Sequence, residues 1–309
     1  MRPPEVSIVI LTRNGQRFLR EVLEQVFSQD MAESFEVIVI DSSSVDRTWE
    51  IAQSFPVRAE RIPVRAFSHS KTRNWGAQLA RGSYVVYLTQ DATPGSPHWL
   101  RNLLSDFKDE RVAGVYSRQV CRQGWSSVEE EMLVPEFYGS GRQVRQMSSR
   151  GTVSADEMAG MMFFSNVSAA YRRDLLLENP FDEQLSMAED QEWCKRMLER
   201  GWKAVYEPSS YVTHSNNHSW RALYRRRQSE WLNFALFMPL DWIPGEVLNV
   251  KNDLRFLRRA WRWVWADPGR SWFRKISDGV RIPWDRLISV CGTRRGWSLG
   301  RQRRMAFHV

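Results

Sequence analysis

The stretch Tyr84-Val85-Val86-Tyr87-Leu88-Thr89-Gln90-Asp91 decides the fold, because it passes from an uncharged apolar run directly to a single carboxylate. Its β-branched, aromatic and aliphatic residues predict a buried strand of a parallel sheet. In open α/β sheets, ligands bind just beyond the carboxyl ends of the strands. Asp91 is therefore a candidate ligand for a divalent cation held against a phosphate. The simpler alternative is that Asp91 caps a helix that starts near Pro97.

Two further apolar strands are predicted upstream of that stretch. Val6–Leu11 and Phe35–Ile40 each end in a polar tip, Thr12–Gly15 and Asp41–Ser44, and helical spacing follows each tip. Such strand–helix alternation predicts an α/β fold with a Rossmann-like, mostly parallel sheet flanked by helices. The three polar tips are expected to meet at one edge of this sheet. Neither a glycine-rich dinucleotide fingerprint nor a Walker motif is present.

Composition is that of an ordinary globular protein. The 309 residues are 42% hydrophobic and 26% charged. Cys121, Cys194 and Cys291 lie far apart and match no zinc or disulfide spacing, which favours a reducing cytoplasm. The N-terminus enters a strand without a signal peptide, and no apolar run reaches the roughly 18 residues of a transmembrane helix. Any contact with a membrane is therefore expected to be peripheral.

Charge and tryptophan are concentrated at the C-terminal end. Residues 219–309 hold 19 Lys and Arg against 7 Asp and Glu, a balance of +12, whereas the overall charge is only +8. The same segment holds 9 of the 15 tryptophans. Two regions with different partners are therefore predicted, one over residues 1–218 and one over residues 219–309.

Two amphipathic helices are predicted in this extension. They cover Trp220–Phe237 and Leu254–Trp265, while Pro268, Gly269 and Pro283 are expected to interrupt the chain that follows. Arginine and tryptophan on opposing faces suit an interfacial helix on an anionic membrane. The same residues also suit a nucleic-acid surface or a helical cap packed on the rest of the chain. The membrane surface is favoured, and no nucleic acid is expected as a partner.

Several polar residues outside the strand tips are candidates for chemistry. Arg73 opens a helix, where it suits a phosphate or a surface salt bridge. Asp190 follows Ser186 and Glu189, whose spacing is typical of a capping box, and it is either a general base or a partner of the helix dipole. His214 and His218 are metal ligands or ordinary hydrogen-bonding residues. The segment between Cys121 and Met158 shows no period and predicts a long irregular excursion.

Five motifs in register over roughly residues 5–218 resemble family 2 glycosyltransferases of GT-A fold. They are Val6–Asn14, Asp41–Thr48, Thr72-Arg73-Asn74, Tyr84–Ala92, and Ala188-Glu189-Asp190 with His214 downstream. Three segments resemble more narrowly the bacterial rhamnosyltransferase branch. These are Phe67–Asn74, Thr89–Ala92 and Tyr116–Gln119.

The resemblance implies a role for each matching position. Asp41 matches the acid that reads the nucleobase, and Asp190 matches the catalytic base. Asp91 matches the last acid of an Asp-x-Asp motif that holds Mg²⁺ or Mn²⁺, and Thr89 replaces the first acid. The other implied roles are donor-nucleotide contacts at Thr12, Asn14, Ser43, Arg73 and Gln90, a metal or diphosphate contact at His214, and acceptor or donor-sugar contacts at Arg118, Gln119, Glu189 and His218.

The implied reaction is an inverting transfer of rhamnose or another deoxyhexose. The donor is a dTDP- or UDP-sugar, and the acceptor is a hydroxyl of a lipid-linked or polymeric glycan made for the cell envelope at the cytoplasmic face of the inner membrane. One group must take the proton of the acceptor hydroxyl, and a cation must stabilise the departing diphosphate. One alternative is a sugar nucleotidyltransferase, which would need a glycine-rich basic loop after the first strand; Thr12–Gly15 is not such a loop. The other is a non-catalytic binding module with a basic tail.

Overall fold

The computed structural model describes residues 4–122, 125–139, 141–147, 153–215, 218–239, 242 and 250–306. Contacts divide the chain into two compact units. The first unit comprises Met1–Val120, Tyr138–Val153 and Glu157–His214, and the second comprises Cys121–Phe137, Ser154–Asp156 and Ser215–Val309.

The strands and helices alternate through the first unit as expected. Within the described ranges the strands are β1 (Val6–Thr12), β2 (Phe35–Asp41), β3 (Arg58–Arg61), β4 (Tyr84–Thr89), β5 (Thr93–Pro94), β6 (Val112–Val120), β7 (Gln143–Arg145), β8 (Ser168–Arg172) and β9 (Lys203–Thr213). The helices are α1 (Leu19–Phe27), α2 (Thr48–Gln53), α3 (His69–Leu79), α4 (Trp99–Leu104), α5 (Val128–Phe137), α6 (Ala155–Met161), α7 (Arg173–Glu178), α8 (Glu189–Glu199), α9 (Trp220–Phe237), α10 (Val250–Ala266) and α11 (Trp272–Ala306). Short 3₁₀ turns cover Val64–Ala66 and Ser105–Lys108.

The described strands form one sheet in the order β3-β2-β1-β4-β8-β6-β9-β5, with β7 also paired to β9. Pairing is parallel between β1 and each of β2 and β4, between β2 and β3, and between β6 and β9. The other four pairings are antiparallel. Six strands therefore point one way and β5, β7 and β8 point the other, which confirms the predicted α/β fold with a mostly parallel sheet.

Burial explains why these segments become central strands. Ile8, Ile10, Val86 and Leu88 are within 2% of full burial, as continuous apolar runs with helices on both faces require. Helix α3 lies directly on β1, since a Cβ on Gly76 would come within 2.6 Å of Cγ1 of Val9. Glycine at this position lets the helix that carries Arg73 approach the sheet closely.

Strand register brings the three polar tips together. Thr12 is the partner of Asp41 across β1 and β2, and Leu11 is the partner of Thr89 across β1 and β4. The strands run in parallel, so their carboxyl ends finish at the same edge. The structure thus confirms the predicted clustering of the tips.

The predicted irregular excursion between Cys121 and Met158 is wrong for the described part of that segment. Helix α5 and strand β7 lie within it, and α6 begins in it. Val128 and Met132 of α5 are buried in one cluster with Ala260, Val264 and Ile282. The order of α5 therefore depends on apolar partners more than 120 residues away in the chain, which local periodicity does not reveal.

In the second unit the two predicted amphipathic helices are confirmed as α9 and α10. The predicted interruption at Pro283 is wrong, because α11 continues through this proline as one helix of 35 residues. A proline in a helix interior costs about 3 kcal/mol, so packing must stabilise α11 elsewhere. None of the helices in the described ranges is both long enough and apolar enough to cross a membrane.

That packing is a glycine seam, formed by Gly292, Gly296 and Gly300 of α11 against α9. A Cβ on each glycine would meet a carbonyl oxygen of α9, at 2.7, 2.2 and 2.4 Å for Tyr224, Gln228 and Leu232 in turn. Both sets of residues ascend together in steps of four, so α9 and α11 run parallel with their backbones in close contact. Small residues spaced by four are what permits such an approach.

Alanine at two glycines of α11 tests the seam. Gly296→Ala should lower the free energy of unfolding by about 1–3 kcal/mol, because its methyl group would overlap the carbonyl of Gln228. Gly279→Ala should raise it by up to about 1 kcal/mol, because its methyl group meets Trp261 at an ordinary 3.7 Å and alanine favours helix. Urea unfolding followed by circular dichroism measures both, and equal shifts in the two variants would contradict the seam.

Candidate active site

A buried carboxylate organises the tips of β1 and β2. Asp41 is fully buried and accepts hydrogen bonds from Oγ1 of Thr12 at 3.2 Å, from the backbone N and Oγ of Ser44, and from Nε of Arg61 at 3.2 Å. These contacts engage both carboxylate oxygens. In this structure Asp41 therefore orders the loop after β2, and its predicted contact with a nucleobase stays a prediction.

Two residues at these tips adopt left-handed backbone conformations. Asn14 has φ 49° and Ser43 has φ 53°, and neither is a glycine. Oδ1 of Asn14 accepts the N–H of Val45 at 3.0 Å, and the N–H of Asn14 donates to Oγ of Ser44 at 2.8 Å. Oγ of Ser43 donates to the carbonyl of Ile62 at 2.8 Å. Side-chain hydrogen bonds thus hold a strained loop pair in place, as often occurs at functional sites.

Gln90 ties the tip of β4 to the tip of β1. Its Oε1 accepts the N–H of Arg13 at 2.9 Å, and its Nε2 donates to the carbonyl of Arg13 at 3.1 Å. A Cβ on Gly15 would lie 2.2 Å from Oε1 of Gln90, so a side chain at this position would displace the amide. Gln90, predicted as a donor contact, holds the edge of the sheet together in this structure.

Asp91 faces His214 across the edge of the sheet. Oδ1 of Asp91 lies 3.6 Å from Nε2 of His214, and the carboxylate is 35% exposed whereas the imidazole is buried. The helix that follows is capped at His98 and begins at Trp99, so Asp91 does not cap it. The helix-cap alternative for Asp91 is therefore wrong.

Gln119 sets the orientation of this imidazole. Its Oε1 lies 3.0 Å from Nδ1 of His214, while its Nε2 donates to Oγ of Ser165 at 2.9 Å and to the hydroxyl of Tyr138. An amide oxygen only accepts, so Nδ1 carries a proton, and Nε2 is the ring nitrogen that faces Asp91. Gln119 was predicted as a sugar contact, and here both of its amide atoms are engaged with protein groups.

The donor set around Asp91 fits a divalent cation. An imidazole nitrogen and a carboxylate oxygen 3.6 Å apart are ligand types that a divalent cation can share. Oγ1 of Thr89, at the position of the replaced acid, is buried without a hydrogen-bond partner among the described residues. Within the same residues no group of three or more His, Cys, Asp or Glu side chains could hold a metal. Among the described residues Asp91 and His214 thus offer two ligands, and a cation bound here would need others from water or a bound anion.

Asp190 stands at the start of α8. Its Oδ2 accepts the N–H of Asn166 at 2.8 Å, and its Oδ1 accepts the N–H of Gln191 at 2.9 Å. Burial and the neighbouring Glu189 carboxylate raise the pKa of Asp190 from 3.8 to about 7, although the two N–H groups and Arg73 lower it. A carboxylate with a pKa near 7 is well matched to proton transfer at neutral pH.

Glu189 and Arg73 form a buried ion pair beside Asp190. Glu189 is 3% exposed and Arg73 is 7% exposed. The hydroxyl of Tyr87 donates to the carbonyl of Arg73 at 2.7 Å, and Nδ2 of Asn166 donates to Glu189 at 3.3 Å. The guanidinium of Arg73 is thus occupied by Glu189, and its predicted place near a diphosphate stays a prediction.

The capping box predicted for Ser186 and Glu189 is wrong. The N-cap of α8 is Ala188, which has a left-handed φ of 61° and forms no side-chain cap hydrogen bond. The chain turns sharply at Ala188, and the helix starts at Glu189 rather than two residues earlier. Glu189 therefore faces Arg73 instead of the helix N-terminus.

The short segment Ser165-Asn166-Val167 connects Asp190 to the Asp91–His214 pair through Gln119. Oγ of Ser165 accepts from Gln119, the N–H of Asn166 donates to Asp190, and the carbonyl of Val167 accepts the N–H of Thr89 at 3.0 Å. Oδ1 of Asn166 also accepts the hydroxyl of Tyr171 at 2.6 Å. Sequence reasoning missed Asn166, because no motif marks it, and an amide beside a strand start was the only signal.

The remaining candidates are placed as follows. Arg118 lies at a register shift in β6, and its buried Nε has no hydrogen-bond partner within the described part of the chain. Oγ of Ser42 has none there either. His218 belongs to the second unit, where its Nε2 lies 3.1 Å from Nη1 of Arg226 and its carbonyl accepts from Arg281.

Comparison with known proteins shows which family the chain resembles. The sequence model described as Glycosyl transferase family 2 matches residues 7–178. The chain is 29% identical over 274 residues to the O-antigen chain rhamnosyltransferase WbaN of Salmonella anatum, covering 84% of each chain. It is 28% identical over 275 residues to the O-antigen chain rhamnosyltransferase RfbN of Salmonella typhimurium, again covering 84% of each.

Solved structures agree in fold. A mannosyltransferase, PcManGT from Pyrobaculum calidifontis in complex with GDP-Man and Mn²⁺, has a TM-score of 0.58 at 17% identity, over 99% of this chain and 88% of that chain. TarS of S. aureus in complex with UDP-GlcNAc has a TM-score of 0.51 at 15% identity, over 97% and 92%. With the family model matching more than half of its residues, the chain belongs to glycosyl transferase family 2 and is a glycosyltransferase of GT-A fold.

Proposed function

We propose that this glycosyltransferase moves rhamnose or another deoxyhexose, with inversion, from a dTDP- or UDP-sugar to a hydroxyl of a lipid-linked or polymeric glycan. The observation that carries the proposal is the connection of Asp190 to the Asp91–His214 pair through residues 165–167. A base and a diphosphate-binding group held in one framework are what a displacement at an anomeric carbon requires. The choice of sugar is supported by the two O-antigen rhamnosyltransferase relatives.

Asp190 is the proposed base. Its raised pKa lets it take the proton of the acceptor hydroxyl as the oxygen attacks the anomeric carbon of the donor sugar. Arg73 neutralises Glu189, so the second carboxylate adds less negative charge beside the base. The glycosidic bond forms as the bond to the nucleoside diphosphate breaks, and no protein nucleophile takes part.

The strand tips form the proposed donor side. Thr12, Asn14, Asp41 and Ser43 surround a loop pair at the carboxyl ends of β1 and β2, with Arg73 and Gln90 as further candidates. Ser42 Oγ and Thr89 Oγ1 are buried polar atoms without described partners, so they are available to a ligand. Arg118, Gln119, Glu189 and His218 remain candidates for sugar contacts.

Asp91 and His214 would hold Mg²⁺ or Mn²⁺. A divalent cation bound there neutralises the charge that develops on the departing diphosphate. Imidazole suits Mn²⁺ better than Mg²⁺, which prefers oxygen ligands. Gln119 keeps Nε2 of His214 in its ligating form. Because Thr89 replaces a carboxylate, we expect cation and nucleotide to depend on each other for tight binding.

The place of action follows from the proposed acceptor. A lipid-linked glycan is presented at a membrane surface, so the enzyme would work at the cytoplasmic face of the inner membrane. Catalysis is assigned to residues 1–218, and membrane association to residues 219–309. The +12 balance of the second segment supports this division, because anionic headgroups attract basic residues.

Replacing the base tests the reaction. Asp190→Asn should lower kcat for sugar transfer by about 10²–10⁴-fold, since general base catalysis contributes about that much. The matched control is Asp182→Asn, an exposed carboxylate before α8, which should transfer at the wild-type rate. Transfer from dTDP-rhamnose to a glycan acceptor, measured as released dTDP, reads out both. An Asp190→Asn enzyme of normal activity would remove Asp190 from the mechanism.

The pH dependence should report the same carboxyl group. Below a pKa of about 7, Asp190 is protonated and takes no proton, so kcat/KM should rise through pH 7 and level off above it. Stability should change in the opposite direction. The folded pKa exceeds the ordinary value of 3.8, so the folded state binds the proton more tightly, and the free energy of unfolding falls as pH rises towards 7.

Asp190→Asn should abolish that part of the stability slope. Urea unfolding at pH 5 and pH 8 measures it, and the difference in stability between the two pH values should be smaller in the variant. A wild-type stability that rises between these values, with no difference in Asp190→Asn, would contradict the raised pKa.

Thermal stabilisation tests the proposed cation site at Asp91 and His214. Mn²⁺ and dTDP together should raise Tm by more than the sum of their separate effects, since a ligand that binds only the folded state stabilises it. His214→Gln should remove this excess. His98→Gln is the matched control, because His98 faces Asp30 at 3.5 Å in an exposed pair that resembles Asp91–His214. An excess retained in His214→Gln would show that the cation binds elsewhere.

A further inference from the structure

Helix α11 exposes an apolar stripe opposite its glycine seam. The stripe consists of large side chains that recur at helical spacing, Trp272, Phe273, Ile276, Val280, Trp284 and Leu287. Trp272 is 63% exposed and Phe273 is 85% exposed. Soluble monomers rarely expose contiguous apolar patches of this kind unless the patch has a partner.

Helix α10 extends the stripe sideways. Leu254, Trp261 and Trp265 are exposed on one side of α10. The rings of Trp265 and Trp272 lie 5.3 Å apart, and those of Trp261 and Trp265 lie 6.5 Å apart. The side chains of α10 and α11 thus join into one surface, called here the tryptophan face.

Arginines flank this face. Arg255, Arg258 and Arg262 are exposed on α10, on the side of the helix adjacent to Leu254, Trp261 and Trp265. They belong to a segment with a net charge of +12. A partner for this surface must therefore offer an apolar layer and, beside it, negative charge.

We propose that the tryptophan face binds the surface of an anionic lipid bilayer, with α10 and α11 lying in the plane of the headgroups. Tryptophan places its apolar ring among acyl chains and its N–H among headgroups. Neighbouring arginines bind lipid phosphates, and a helix of this composition lies on a membrane rather than across it. The inference rests on the proposed function, since it names the surface that brings the enzyme to a lipid-linked acceptor.

Charge complementarity favours a bilayer over other partners for the tryptophan face. A second copy of the chain would set the arginine rows of two like-charged segments against each other. A nucleic acid would match the arginines but would leave Phe273, Ile276 and Val280 exposed to water. A bilayer of anionic lipid satisfies both the apolar and the basic part of the surface.

Vesicle binding by the full-length protein tests the proposal. Wild type should co-sediment with vesicles of phosphatidylethanolamine and phosphatidylglycerol at least about tenfold more strongly than with phosphatidylcholine vesicles. Brominated acyl chains should quench tryptophan fluorescence in the bound state. The double variant Trp272→Ser, Phe273→Ser should lose about tenfold or more in partitioning. The triple variant Arg255→Gln, Arg258→Gln, Arg262→Gln should lose the preference for anionic lipid and the sensitivity to salt.

Phe137→Ser is the matched control. Phe137 is 57% exposed and belongs to the same unit, but it lies on the side of α5 opposite Val128 and Met132, which pack with α10. This variant should bind vesicles like wild type. Circular dichroism confirms that each variant keeps its helices.

Three results would overturn the proposal. They are wild-type binding that does not depend on phosphatidylglycerol, a Trp272→Ser, Phe273→Ser variant that binds as wild type does, and a lipid-free dimer or RNA complex that the double variant abolishes. Sugar transfer separates this inference from the proposed function. The double variant should act normally on a water-soluble acceptor and poorly on an acceptor embedded in vesicles. If wild type binds vesicles but transfers no sugar to either, the proposed function fails and the surface assignment stands.

Discussion

The buried ion pair between Arg73 and Glu189 is the interaction on which the rest of the site depends. Two consecutive carboxylates, the buried Glu189 and the partly buried Asp190, begin α8, and two negative charges side by side would repel each other strongly. Arg73 neutralises one of them, and Tyr87 and Asn166 hold the pair in place. Removing one partner of such a pair costs about 3–5 kcal/mol, because the other charge stays buried. The pair therefore fixes α3 and α8 together beside Asp190, the proposed base.

The segment Ser165-Asn166-Val167 transmits this order to the opposite side of the site. Among its contacts each residue has a different partner on this path, Gln119, Asp190 and Thr89 in turn. A displacement of Asn166 would move Asp190, the proposed base, and the same displacement would loosen the amide that orients His214. The distance between Asp190 and the Asp91–His214 pair is thus set by the three residues that precede β8. Catalysis is sensitive to such spacing, since misplacement by about 1 Å can cost about 10²-fold in rate.

The local sequence pattern correctly predicted the strands and their polar tips. It failed to predict contacts between residues that are distant in the chain. Apolar runs followed by polar residues correctly placed β1, β2 and β4, since burial on both faces leaves a clear signature. The pairing of Arg73 with Glu189 spans 116 residues and depends on a left-handed turn at Ala188 that no residue type announces. The interruption predicted at Pro283 was wrong because α11 is stabilised further along the helix, by the seam of Gly292, Gly296 and Gly300. Family membership sets aside the nucleotidyltransferase and binding-module alternatives.

Strain at the site supports a preformed framework. Asn14, Ser43 and Ala188 are the non-glycine residues with positive φ in the described chain, and each lies at a strand tip or near Asp190, the proposed base. Each such conformation costs about 1–2 kcal/mol for an L-residue. The surrounding hydrogen bonds offset this cost, so the loops hold their shape before any donor binds. Preorganised groups need no rearrangement during the reaction, which is where fixed dipoles and charges contribute most to rate. The fold thus gives up some stability at three positions to keep the proposed base, the strand tips and the Asp91–His214 pair in register.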